Sequence, residues 1–147
     1  QKKILTLDAT CINDTALDSS TMKKMRASIL LMGPLLARLG RAQMVAPGGC
    51  VLGARPIDFH LKAFRQLGVT IQEADEIIYA DYSVSEGMRQ KSQRIVFDYP
   101  SVGATENVMM FAVGASLDVT IINASLFYIF LIFLAIFILI KLFLLKI

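Results

Sequence analysis

The stretch "ASILLMGPLLARLGRAQMVAP", Ala27 to Pro47, carries the pattern that decides the fold. Apolar residues at near-helical spacing run into a glycine, a short tail and the strand-like "AQMVA". A second stretch, "ENVMMFAVGASLDVTIINAS" from Glu106 to Ser125, repeats that order. Two copies of one helix–strand unit predict a repeated α/β domain.

Working outward, Ser20 or Thr21 caps a predicted helix from about Met22 to Leu39, with Met25, Ile29, Leu30, Leu36 and Leu39 on its apolar face. Pro34, after Gly33, should kink it by removing a backbone donor, and Gly40 should end it. Upstream, "KKILTLD" (Lys2 to Asp8) alternates as a strand does, and "ATCINDTALDSS" has loop composition. Downstream, a helix is predicted over Ile57 to Leu67, with Asp58 in its first turn and Gly68 just past its end. "GVTIQEADEIIYAD" gives two strands around an acidic turn, "SEGMRQKSQ" is polar and exposed, and "RIVFD" is a strand. "YPSVGATEN" turns into a helix over about Ala104 to Ala115, and "DVTIIN" is the closing strand.

The 147 residues suffice for one modest domain with a core. The 15 basic and 12 acidic residues leave a net charge of +3 with no basic cluster, which suits small anionic ligands better than nucleic acid. Two cysteines, Cys11 and Cys50, without a signal peptide in view, point to a reducing cytoplasmic compartment. Gln1 in place of methionine suggests that the gene product starts upstream. The 55% apolar content is concentrated in "LFYIFLIFLAIFILIKLFLLKI", Leu126 to Ile147, where only Lys141 and Lys146 are charged. The domain division is therefore 1–124 for the globular part and 125–147 for an apolar tail. As a helix, residues 126–147 would span about 33 Å, enough for a bilayer, with the lysines snorkelling to one interface. The alternative, preferred here, is a shifted reading frame or read-through into A/T-rich DNA, since Phe, Ile, Leu, Lys and Tyr have A/T-rich codons.

Four features bear on chemistry. In "PGGCVLGARPIDFH" (Pro47 to His60), Gly48, Gly49 and Gly53 make an accessible perch for Cys50. Arg55 could lower the thiol pKa below its usual value of about 8.5, leaving Cys50 able to donate a proton or attack carbon. The plain alternative is a strand-to-helix turn that happens to contain a cysteine; the loop matches neither the dinucleotide fingerprint nor the P-loop. Arg26, near Lys23 and Lys24 at a helix start, opposes the helix dipole. Either it serves an anion or it is a solvated basic turn. "SVGAT" (Ser101 to Thr105) either holds a phosphate with backbone N–H groups and a hydroxyl or is a simple helix cap. His60 is the one histidine and reads as structural, with no metal-ligand cluster around it.

Taken together, "MRASILLMGPLLARLG", "PGGCVLGARPIDFHLKAFRQLGVTI" and "PSVGATENVMMFA" resemble, in this order and spacing, the UDP-N-acetylglucosamine 1-carboxyvinyltransferase family of enolpyruvyl transferases. The resemblance covers about residues 3–123. The related shikimate-phosphate transferase lacks the cysteine loop and is the poorer match. The resemblance implies transfer of enolpyruvyl from phosphoenolpyruvate to the 3'-hydroxyl of UDP-N-acetylglucosamine with release of phosphate, in peptidoglycan precursor synthesis in the cytoplasm. It implies a mixed α/β fold, part of an inside-out α/β barrel of repeated β–α units, with no cofactor and no metal. Its partners would be those two small substrates, with no nucleic acid, and a membrane only if the tail is genuine.

By resemblance, Cys50 is the loop cysteine that donates a proton, forms an adduct with phosphoenolpyruvate and is sensitive to fosfomycin. Arg26 and Arg55 hold anionic groups, for which a planar guanidinium fork is suited. Arg55, Pro56, Ile57, Asp58 and Phe59 match the segment that grips the uridine end. Tyr99, Pro100, Ser101 and Val102 match a second UDP-sugar contact, with Gly103 beside it. Members often carry lysine where Tyr99 stands, so one charged contact is missing here. Cys11 matches no functional motif. Family members are much longer, with an N-terminal Lys-Asn pair and a downstream aspartate and arginine that this sequence lacks. The expectation is one wall of an active site, inactive alone. The competing expectations are a non-catalytic UDP-sugar binding module and a membrane-tethered degenerate domain.

Overall fold

The computed structural model describes residues 6, 8, 10–17, 19–46, 57–83 and 92–125, with only the backbone of Thr21 and Arg26. The expected strand at Lys2 to Asp8, the cysteine loop, most of the polar "SEGMRQKSQ" segment and the apolar tail lie outside those residues. Among the described residues no helix is long and apolar enough to cross a membrane.

The single kinked helix expected over Met22 to Leu39 is three pieces. Helix α1 is Ser19–Lys24, a 3-10 helix follows at Arg26–Leu31, and α2 is Met32–Leu39. The break is at Met25, whose backbone is extended (φ −122°, ψ 107°). Ser28 holds the break by donating its hydroxyl to the Met25 carbonyl. Pro34 has no N–H for the carbonyl four residues back, and its ring would crowd that carbonyl in a continuing helix. The chain accommodates this by tightening the preceding turn to 3-10 and placing Pro34 in the first turn of α2, where a missing donor costs little. The break also reassigns the core: Met25 is 54% exposed, and Met22 and Met32 are buried in its place. Ser20 and Thr21 lie inside α1, which begins earlier than their expected capping role required. Gly40 ends α2 as expected, with φ 72° and its N–H on the Leu36 carbonyl.

Strand β1 is Arg41–Val45, α3 is Asp58–Gln66, β2 is Thr70–Ala74 and β3 is Ile77–Asp81. These strands form a three-stranded sheet ordered β1-β3-β2, with β3 antiparallel to both neighbours. Strands β1 and β2 thus run parallel with β3 inserted between them. The acidic β2–β3 turn is a tight one: Asp75 and Glu76 both have positive φ, 51° and 64°, as a two-residue hairpin turn of matching twist requires. Met44, Ile78 and Ala80 face the core, and the opposite face shows Gln43, Tyr79 and Gln72 in one cross-strand row.

Strand β4 (Gln93–Val96), helix α4 (Val102–Gly114) and β5 (Val119–Ile122) form a parallel β–α–β unit. Helix α4 starts two residues before its expected first residue. It is apolar nearly all round, yet it buries one side against α2 and α3 and leaves Met109, Met110 and Val113 exposed on the other. Phe111 is its anchor, set edge-to-face against Phe64 (5.5 Å between centroids) and Tyr82 (4.8 Å).

The two echoing units lie side by side through α2 and α4. Gly33 meets Asn107 and, one turn further along α2 and two along α4, Ala37 meets Gly114, so the helices run in the same sense. Glycine is required at Gly33: a Cβ there would fall 2.6 Å from the Asn107 Oδ1. This close approach lets Phe64, Leu36, Met32, Val108 and Ile95 merge into one core beneath both sheets. The mixed α+β expectation holds.

Candidate functional site

The expected uridine-end segment begins α3. Ile57 precedes the helix (φ −87°, ψ 3°), and its carbonyl accepts the N–H groups of His60 (2.9 Å) and Leu61 (3.2 Å). Asp58 is exposed in the first turn, where its charge complements the helix dipole. Ile57 and Phe59 are half-buried against the core. The second expected segment begins α4. Tyr99 is 69% exposed and Pro100 is exposed, whereas Ser101, Val102 and Gly103 are half-buried. Ser101 is the helix cap, its Oγ accepting the Ala104 N–H at 3.3 Å. Thr105 donates its hydroxyl to the Ser101 carbonyl (2.7 Å) and accepts the Ser125 N–H (3.3 Å). The capping reading of "SVGAT" is therefore realised. The first turn of α4 carries no acidic side chain, so unlike α3 it leaves its dipole uncompensated.

These segments, some forty residues apart in sequence, meet. A Cβ on Gly103 would lie 3.4 Å from both Cε1 and Nε2 of His60, the residue directly after Phe59. Lys62 pairs with Asp98, the residue before Tyr99. An open groove along α3 is lined by Asp58, Phe59, Lys62, Arg65, Glu73 and Asp98, with Arg65 donating to Glu73 at 2.7 Å. Lys62 with Asp98 and Arg65 with Glu73 are thus paired within its own wall.

Beneath the junction sits Asn107, with 0% exposure. Its Nδ2 donates to the Ile29 carbonyl in the 3-10 helix (2.9 Å) and meets His60 Nδ1 at 3.1 Å, while its Oδ1 accepts the Gly33 N–H (2.8 Å). His60, 8% exposed, is the structural histidine the sequence suggested. Asn107 matches no motif in the sequence; its one signal is an amide in the apolar run "ENVMMFAV". Arg26 opens the 3-10 helix that Asn107 tethers, with only its backbone described. Cys50, Arg55 and Pro56 lie outside the described residues. Among the described residues no group of histidine, cysteine, aspartate or glutamate side chains could hold a metal ion. Away from the junction, Asp8 is held below its ordinary carboxylate pKa by the hydroxyl and N–H of Thr10.

Residues 1–131 match the family model for EPSP synthase (3-phosphoshikimate 1-carboxyvinyltransferase). The chain belongs to this family of carboxyvinyl transferases. Within it, the similar curated proteins are UDP-N-acetylglucosamine 1-carboxyvinyltransferases. That of Finegoldia magna is 44% identical over 124 residues, covering 84% of this chain and 28% of the relative. Those of Caldanaerobacter subterraneus and Carboxydothermus hydrogenoformans are 48% and 52% identical, over 78% and 71% of this chain and 26% and 24% of each relative. The chain thus spans about a quarter of the length of the curated relatives it matches.

Proposed function

We propose that this chain supplies the UDP-sugar-binding and cysteine-loop wall of an enzyme that moves enolpyruvyl from phosphoenolpyruvate to the 3'-hydroxyl of UDP-N-acetylglucosamine, releasing phosphate. The observation that carries the reading is the meeting of Ile57–Phe59 with Tyr99–Gly103 across the His60–Gly103 contact. Two segments matched separately to one nucleotide-sugar come together at that junction, which supports the reading. The uncompensated start of α4 suits a diphosphate there. The relatives' names give the substrate class.

In this reading Arg55 and Pro56 continue the uridine-end segment before Ile57. Cys50 protonates and captures phosphoenolpyruvate, and Arg26 and Arg55 hold its anionic groups. Catalysis needs groups on the opposite wall, so the chain binds without turning over. The inside-out barrel is part of the same proposal, supported by helices gathered at the centre and an outward sheet face carrying Tyr79.

Calorimetric titration with UDP-N-acetylglucosamine tests the binding claim. Saturable heat at one site per chain is expected, and its absence sinks the reading. Fosfomycin should label Cys50; labelling confined to Cys11, which is exposed, would remove the assignment of the thiol. Phosphate release above blank from the purified chain would overturn the claim that it does not turn over.

A further inference from the structure

We propose that Asn107 sets the tautomer of His60, and that the pair acts as a positioning device holding the first turns of α3 and α4 in register for the nucleotide-sugar. The ligand part rests on the function proposed above; the tautomer part does not.

The amide of Asn107 has two N–H donors and one oxygen. All are engaged: one N–H on the Ile29 carbonyl, one toward His60 Nδ1, and the oxygen on the Gly33 N–H. Turning the amide over would set oxygen against the Ile29 carbonyl and N–H against the Gly33 N–H. Two buried clashes of like polarity forbid it, so the orientation follows from the geometry. His60 Nδ1 consequently faces a donor and must present its lone pair. The ring is neutral, with its proton on Nε2.

Gly33 and Gly103 make the arrangement work. Any side chain at Gly33 would enter the space of the Asn107 amide, and a methyl at Gly103 would just reach the Cε1–Nε2 edge of His60 at 3.4 Å. One ring therefore bears on both candidate binding segments, following Phe59 in sequence and facing Gly103 in space. The same amide ties in the 3-10 helix that begins with Arg26. An apolar residue of similar volume at position 107 would fill the core equally well. It would not fix the ring, because only a directional network selects one orientation.

His60 is the one histidine in the sequence, so a long-range proton–nitrogen spectrum of the full chain reports on its ring alone. The expected wild-type signature is an unprotonated Nδ1 and a protonated Nε2. Asn107→Asp keeps the acceptor for Gly33 but turns an acceptor toward Nδ1. The ring should then carry a proton on Nδ1, and the backbone amides of residues 57–59 and 101–103 should shift. Gly103→Ala leaves the amide network intact and sets a methyl in ordinary contact with the ring edge, 3.4 Å from Cε1 and Nε2; it should shift the same amides with the tautomer unchanged. In titrations with UDP-N-acetylglucosamine, Asn107→Asp should bind about fivefold or more weakly than wild type, the size of one lost polar contact.

A wild-type ring protonated at Nδ1 overturns the proposal, as does undiminished binding by an Asn107→Asp chain whose tautomer has changed. If Asn107→Asp does not fold, the wild-type spectrum and Gly103→Ala decide. If wild type does not bind the nucleotide-sugar, the substrate reading fails. The ring signature and the coupled amide shifts still decide whether the device exists.

Discussion

The contact between Ala37 and Gly114 allows a clean test of how the two helix–strand units are joined. A methyl added at Gly114 would sit 2.7 Å from the Ala37 Cβ, about 1 Å inside ordinary carbon–carbon contact. Neither methyl has a rotamer to escape into, so α2 and α4 must part or shear. Either motion disturbs the Gly33–Asn107 hydrogen bond, one turn away along α2 and two along α4. Overpacking of this kind costs about 1–3 kcal/mol, offset by about 1 kcal/mol or less of helix propensity at the last helical position. Gly114→Ala should therefore destabilise by about 1–2 kcal/mol. Ala37→Gly alone should cost about 1 kcal/mol through propensity. The double variant moves the methyl from one helix to the other and restores the fit. It should be more stable than Gly114→Ala, with a coupling of at least about 1 kcal/mol. Urea unfolding followed by circular dichroism measures each corner of the cycle, at a slope of about 1–3 kcal/mol per molar. Additivity within about 0.5 kcal/mol would mean that the helices do not touch there and that the α2–α4 pairing is wrong.

Phe111→Ala removes the ring that joins Phe64 and Tyr82 and should cost about 3–5 kcal/mol in the same assay. Glu76→Gly relieves a left-handed backbone in the hairpin turn and loses only an exposed bond to Lys23, so it should stabilise by about 0.5–1 kcal/mol. Breaking the Lys62–Asp98 pair by Lys62→Ala should move stability by less than about 1 kcal/mol, since both side chains are more than half exposed. Tyr99→Lys, on an exposed position beside the α4 start, should strengthen UDP-N-acetylglucosamine binding by about fivefold at low salt, an advantage that fades as salt is raised.

Much of the molecule was legible locally. Local pattern gives α3, the α4 region and all five strands of the described residues. Gly40 and the acidic "EADEI" turn were readable because their backbone geometry demands particular residues or short polar loops. Pro34 was read as a kink, yet the chain breaks at Met25, nine residues earlier. Proline says only that the helix cannot pass undisturbed, and tertiary packing chooses where the disturbance is absorbed. Met25 has the spacing of the inward face, but that periodicity does not continue through the break. Ile57–Phe59 and Tyr99–Gly103 were matched to one ligand as separate words, with nothing to say that they touch. Asn107 went unnoticed because a polar residue in an apolar run is ambiguous until its partners are known.

By itself the sequence determined the element types, the helix–glycine–strand echo and the family, since these depend on residues near one another in the chain. The tertiary structure alone decided that the echoing helices run side by side at glycine distance and that β3 is inserted between β1 and β2. It alone showed that a buried amide joins Ile29, Gly33 and His60. Those are contacts between distant residues. Their free energy comes from mutual fit and satisfied buried polar groups, which no local window of sequence contains.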